Sequence, residues 1–333
     1  MTQHHLPLLE TVATPALWAW TLAGVLALFA VDFVITRRPH EVSTREAVGW
    51  SAFYIALPLA FGAWIWAAYG GDTGLAFLSG YVVEKSLSVD NLFVFMLLLG
   101  GFAVPRVLQQ RVLLIGVAGA LVMRAVFIAL GAVLLARFSV TFLVFGLVLL
   151  ASAVKVWRDA VRGHDDEPDV GSLVVVRWVR RVLPVSEGYR GTALVTSEGG
   201  RRVVTPLLVA VLAILVVDLL FAVDSVPAVF GITGDPYLVF VTNAFALMGL
   251  RALYFLISGV LSRLVHLGHG MALILVFIAV KLILHWAHTV WHAVPTVPTL
   301  WSLAVIVAIL VGTTVSSLAA SRRAGAGRRA PAA

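Results

Sequence analysis

The sequence predicts an all-α polytopic membrane protein of about nine transmembrane helices, in which two three-helix units form an inverted repeat. Three observations carry this prediction. Of the 333 residues, 61% are hydrophobic and 12% charged, and the mean hydropathy of +1.00 lies far outside the range of ordinary soluble domains. The apolar residues gather into runs matching the roughly 20 residues that a bilayer core demands of a helix; the alternating segments of an outer-membrane barrel are missing. A pattern of intramembrane acids occurs twice.

In chain order, runs at 15–36 and 48–69 give two helices, which with an outside tail make an N-terminal unit, 1–73. Runs at 74–100, 107–134 and 138–160 form the first three-helix unit, 74–161. The long polar interval 162–201 reads as a cytoplasmic loop. It opens on the acidic "HDDEPD" at His164 to Asp169, a solvated charge run, and "TALVTSEGGRRVV" suits a hairpin turning at Gly199-Gly200. Runs at 202–230, 236–261 and 267–291 form the second unit, 202–292, and a helix at 298–320 with a basic tail completes 293–333.

Orientation follows from the basic residues, which accumulate in cytoplasmic loops near helix ends. Every second connection is basic, and 19 of the 24 Lys and Arg residues fall on that side. The amino terminus is therefore expected outside and the carboxyl terminus in the cytoplasm, with the bacterial plasma membrane as location. The net charge of +7 is accounted for by this topology, without a nucleic-acid partner. Residues 1–14 carry no Lys or Arg, so the first helix lacks the n-region of a signal peptide and is expected to stay in the chain. With no cysteine, disulfides and thiolate metal ligands are excluded.

The stretch "YVVEKSLSVDNLFVF" places Glu84, Lys85, Asp90 and Asn91 inside the third run, and "VDLLFAVDSVPAVF" repeats its acid spacing with Asp218, Asp224 and Ser225. "RAVF" from Arg124 is then matched by "RALY" from Arg251, and "AVK" ending at Lys155 by "AVK" ending at Lys281. The copies begin three crossings apart and so enter the membrane from opposite sides, the inverted-repeat plan of many secondary transporters. A carboxylate at mid-membrane costs at least about 2.5 kcal/mol and belongs in a bundle interior with a function. Glu84, Asp90, Asp218 and Asp224 are expected to form one site, with Lys85, Arg124, Arg251 and Lys281 balancing their charge.

In a straight helix residues i and i+6 point about 120° apart, so one ion meets both acids of a copy only if the helix is broken or edges the site. Pro227 frees the carbonyl of Val223 beside Asp224, and Asn91 and Asn243 offer amide oxygens. Such a set suits hard divalent cations, Mg2+, Ca2+ or Mn2+. Four acids against four bases leave an anion open as substrate. His285 and His288 form a possible accessory metal site or proton relay, or are interfacial polar residues. Asp32 reads as a helix-end partner of Arg37.

"VDFVITRRPHEVSTREAVGWSAFY", "EKSLSVDNLFVF", the run from Thr205 to Gly259 and "AVKLILHWAH" together resemble the TerC family, in its Alx-like branch, over residues 29–321. The resemblance implies a membrane protein of a cation-transporter superfamily associated with manganese export and, by name, with tellurium resistance. Carried over by position, it makes Glu84, Asp90, Asn91, Asp218, Asp224, Ser225 and Asn243 the ion-path residues; where the family often has a further Glu, this chain has Val216. The expectation is a transporter, not an enzyme, that exports a divalent cation, Mn2+ first, in exchange for protons. Mn2+ is cargo, with no permanently bound cofactor, and the standing partners are the lipid bilayer, the cation and protons. An oxyanion exporter, or a membrane partner for insertion or metallation of exported proteins, are the rival readings.

Overall fold

The computed structural model describes residues 11–35, 42–162, 181, 184–186, 188–198, 201–257 and 266–327. They form α1 (Pro15–Ile35), α2 (Thr44–Tyr69), α3 (Gly71–Gly101), α4 (Arg106–Arg137), α5 (Val140–Arg162), β1 (Val195–Glu198), β2 (Arg201–Val204), α6 (Pro206–Phe230), α7 (Pro236–Met248), α8 (Leu250–Ile257), α9 (Leu267–Val290) and α10 (Thr299–Gly327). Among the described residues, eight spans are long and apolar enough to cross a membrane, with α7 and α8 counted as one. The ninth expected crossing is α3, whose 31 residues extend about 46 Å but carry Asp72, Glu84, Lys85 and Asp90.

Local chemistry sets the helix ends. Ser43 accepts the amide of Glu46 at the start of α2, the Ser-x-x-Glu arrangement of a capping box. Asp235 caps α7 by accepting the amide of Tyr237 at 2.9 Å, and it also takes the amide of Val12 at 2.8 Å. Between α2 and α3 the chain turns at Gly70, where φ is +92°, a conformation open to glycine and strained for other residues.

Two predicted runs differ from the helices found. The run at 202–230 begins as a strand: β2 pairs antiparallel with β1, from Val195 opposite Val204 to Glu198 opposite Arg201. Pro206 explains the late start, because proline favours the first helical position and pushes the residue before it into extended backbone; Thr205 has φ −88° and ψ 158°. The hairpin is therefore present, while its turn at 199–200 and the acidic cluster at 164–169 lie outside the described residues. It is anchored: Val203, Val204 and Thr205 are buried, and the Tyr189 hydroxyl donates to the Phe102 carbonyl at 2.7 Å.

The run at 236–261 is interrupted at Gly249, between α7 and α8. Lys85 donates to the Ala246 carbonyl at 3.3 Å, placing a cation at the negative pole of α7. A Cβ at Gly249 would lie 2.7 Å from the Lys85 Nζ and 3.0 Å from the Tyr54 Cβ. Glycine is what lets α2 and α3 close on this junction.

The α7–α8 span runs through the centre of the bundle, almost wholly enclosed. Around it α3 packs on α7, α6 packs on α4, and α5 lies along α9, while α2 covers α3 and α8, and α10 covers α3 and α9. The α4–α6 contact is close because Gly116 has no side chain; a Cβ there would meet Ile214 at 2.8 Å, the small-residue packing that brings membrane helices together. Trp20, Leu220 and Trp301 face outward, as a lipid-facing surface requires.

A candidate buried ion site

Glu84 lies on α3 about 20 Å from its first residue, and Asp218 occupies the middle of α6. Both carboxylates, with Arg124 of α4 and Asn243 of α7, are fully buried. The Arg124 guanidinium grips Asp218 with two parallel hydrogen bonds, from Nε at 3.1 Å and Nη2 at 3.0 Å, the bidentate fork that matches carboxylate geometry. Its remaining nitrogen, Nη1, meets Glu84 Oε1, Asn243 Oδ1 at 2.9 Å and Ser225 Oγ at 3.0 Å. Asn243 is held in turn by donating from Nδ2 to the Val239 carbonyl at 3.1 Å. Two carboxylates against one guanidinium leave the centre with a formal charge of −1.

The acids do not use up their bonding capacity. Glu84 Oε2, Ser88 Oγ and Asn91 Nδ2 are buried polar atoms without a hydrogen-bond partner. They stand at i, i+4 and i+7 on α3, one face of the helix, so a polar stripe descends about 10 Å from the Arg124 centre toward the Gly101 end. Unpartnered polar atoms at this depth are costly unless they serve an ion or a proton.

The expected single four-acid site is divided. Asp224 is half-buried and accepts a hydrogen bond from Ser152 of α5, because six residues of unbroken helix turn it about 120° from Asp218. Pro227 stays within α6 and does not bring the two acids to one point. The Asp90 side chain lies outside the described residues. Among the described residues no three His, Asp or Glu side chains are placed to hold a metal ion together, so any cation here would rely on mixed carboxylate, amide and hydroxyl oxygens.

Charge balance also differs from expectation: among the described residues, Arg124 is the one of the four bases that bonds to the repeated acids. Lys85 serves the α7 carbonyl. Arg251 donates to Asp32 of α1 at 2.8 Å and to Gln110 of α4 at 3.1 Å, with Tyr54 within hydrogen-bonding reach of the same carboxylate. Asp32 is thus buried in a second polar centre; the expected helix-end pair with Arg37 falls on a residue outside the described ones. Lys281 is half-buried on α9 and makes no ion pair among the described residues. His285 packs against the edge of Phe142 at 4.5 Å, and His288 sits 2.6 Å from the Val294 carbonyl.

Ser88, Ser152, Asp32, Gln110 and Tyr54 complete these centres and were not expected there. Of these, Asp32 alone carried a signal, as a carboxylate inside an apolar run.

Fold and site together define a helical membrane protein enclosing a carboxylate-rich polar centre. The chain belongs to the TerC family of integral membrane proteins, which matches residues 69–325. An uncharacterized membrane protein of Myxococcus xanthus is 40% identical over 315 residues, covering 94% of this chain and 95% of its own length. One from Mycobacterium tuberculosis is 41% identical over 320 residues, covering 93% of this chain and 81% of its own. The Escherichia coli protein Alx, whose name assigns it provisionally as a membrane-bound redox modulator, is 38% identical over 316 residues, covering 92% and 95%. No solved structure matches the chain.

Proposed function

We propose that this protein is a secondary transporter that exports a divalent cation, Mn2+ first, from the bacterial cytoplasm in exchange for protons. The observation that carries the reading is the buried, net-negative oxygen centre at mid-membrane. Its hard donors suit Mn2+ over softer metals, and the stripe of unpartnered polar atoms on α3 gives a cation a route away from it. Reciprocal packing of α3 on α7 and α6 on α4 supports a two-unit carrier in which inverted units rock about a shared site. In this reading Glu84, Ser225 and Asn243 are the central ligands, Asp218 holds Arg124 beside them, Asn91 lines the approach, and Asp90 is assigned to the ion path by its place in the sequence. Asp224 stands off the centre near α5. Carboxylates that bind either metal or proton link the two flows.

The name of the Escherichia coli relative raises redox modulation. With no cysteine in the chain, thiol exchange is not a route open to it; moving a redox-active metal is one. The test is Mn2+ uptake into inside-out vesicles under an opposing proton gradient. Uptake is expected in the unmodified protein and lost in Glu84→Gln and Asp218→Asn with the fold intact. No Mn2+ movement under gradients of either sign would sink the reading and favour the oxyanion or partner-protein alternatives.

A further inference from the structure

The geometry points to Arg124 Nη1 as a tethered stand-in for the transported cation: the protein fills its own site with a guanidinium nitrogen, which a cation must displace to bind. This rests on the function proposed above and specifies how its site is regulated.

Three oxygens from three helices converge on one atom. Glu84 Oε1 comes from α3, Ser225 Oγ from α6 and Asn243 Oδ1 from α7, and all lie in hydrogen-bonding range of Nη1. A guanidinium Nη carries two hydrogens, fewer than the three acceptors gathered round it. Oxygen donors grouped beyond what an N–H pair can satisfy are what a cation with six or more coordination positions uses. The rest of the guanidinium is arranged differently. Nε and Nη2 lie flat along the two oxygens of Asp218, a matched pair with no surplus acceptor.

The side chain thus has two parts: an anchored edge on Asp218 and a tip in the oxygen cluster. A divalent cation and the tip cannot share Glu84, Ser225 and Asn243, since metal–oxygen distances near 2.1 Å draw the three inward onto the space Nη1 fills. The guanidinium is planar and rigid, so loading moves the whole group off the three oxygens, and Asp218 moves with the Nε–Nη2 edge and retains its charge. The unpartnered Glu84 Oε2 and the neighbouring Ser88 hydroxyl stand ready as further donors. On unloading, the tip returns and expels the ion, so the site never stays a bare pair of buried anions.

The test measures Mn2+ binding to the purified full chain by calorimetry, with thermal unfolding as a check of folding. If the tip occupies the site more than about nine-tenths of the time, Arg124→Gln binds Mn2+ at least about 10-fold tighter than the unmodified protein, while its Mn2+ turnover in vesicles falls. Arg124→Lys keeps the charge but cannot reach across both halves, and falls between. Because Arg124→Gln alone leaves two unopposed carboxylates, the pair Arg124→Gln with Asp218→Asn keeps the formal charge at −1; it too is expected to bind tighter. Unchanged or weaker binding in folded forms of these variants, with binding by the unmodified protein abolished in Glu84→Gln, overturns the stand-in role and leaves the transporter reading intact. Binding in none of the proteins, the unmodified one included, overturns both.

Discussion

Arg124 and Arg251 open similar short motifs, "RAVF" and "RALY", yet they keep different company. Arg124 joins a carboxylate from α3 and one from α6 and leaves one negative charge over, with an unpartnered oxygen on Glu84. Among the described residues Arg251 meets one carboxylate, Asp32 of α1. The first centre has electrostatic capacity for a further cation. The second, among the described residues, sets one acid against one base and ties α1 and α4 to α8 beside the Gly249 junction. The two arginines stand in similar short sequences, and their neighbours have given them separate work.

The sharpest way to break this comparison is to take a charge from each centre. Glu84→Gln or Asp218→Asn is expected to weaken Mn2+ binding by at least about 100-fold, near 2.7 kcal/mol. Asp32→Asn should leave that binding within about 2-fold while lowering stability by about 1 to 3 kcal/mol, the range for an unsatisfied buried group; calorimetry and thermal melts read the two apart. If Asp32→Asn abolishes binding as well, the two centres act as one. Gly249→Ala probes the junction through packing, and overfilling the space beside Lys85 and Tyr54 should cost about 1 to 3 kcal/mol, visible in the melt without altering metal affinity at saturation. Tyr189→Phe removes the bond to Phe102 made by the segment leading into the hairpin and should cost about 0.5 to 1.5 kcal/mol, with faster amide exchange at Val203 and Val204 as the local readout.

The membrane class, the span positions, the hairpin and the meeting of Glu84, Asp218, Ser225 and Asn243 were legible from residue types and spacing. Asp224 shows why four acids in register did not specify one site: the spacing was visible, but the turn angle of an unbroken α6 sends its side chain to Ser152. The Asp32–Arg251 pair joins residues 219 apart in sequence, and no local pattern announces such a partner. Gly249 looked like one residue of an apolar run. Only the approach of Lys85 and Tyr54 in three dimensions gives it a role.

The enclosure of α7–α8 has a consequence for biogenesis. This span carries Asn243 and Arg251, both buried, and in the finished protein it meets other helices on nearly every side. Exported into bare lipid alone, it would present those groups to hydrocarbon, so its stable insertion depends on α3, α4 and α6 already standing to receive it. Damage to any of these three would then first appear as a chain retained by the insertion machinery or degraded, before any change in ion handling could be measured.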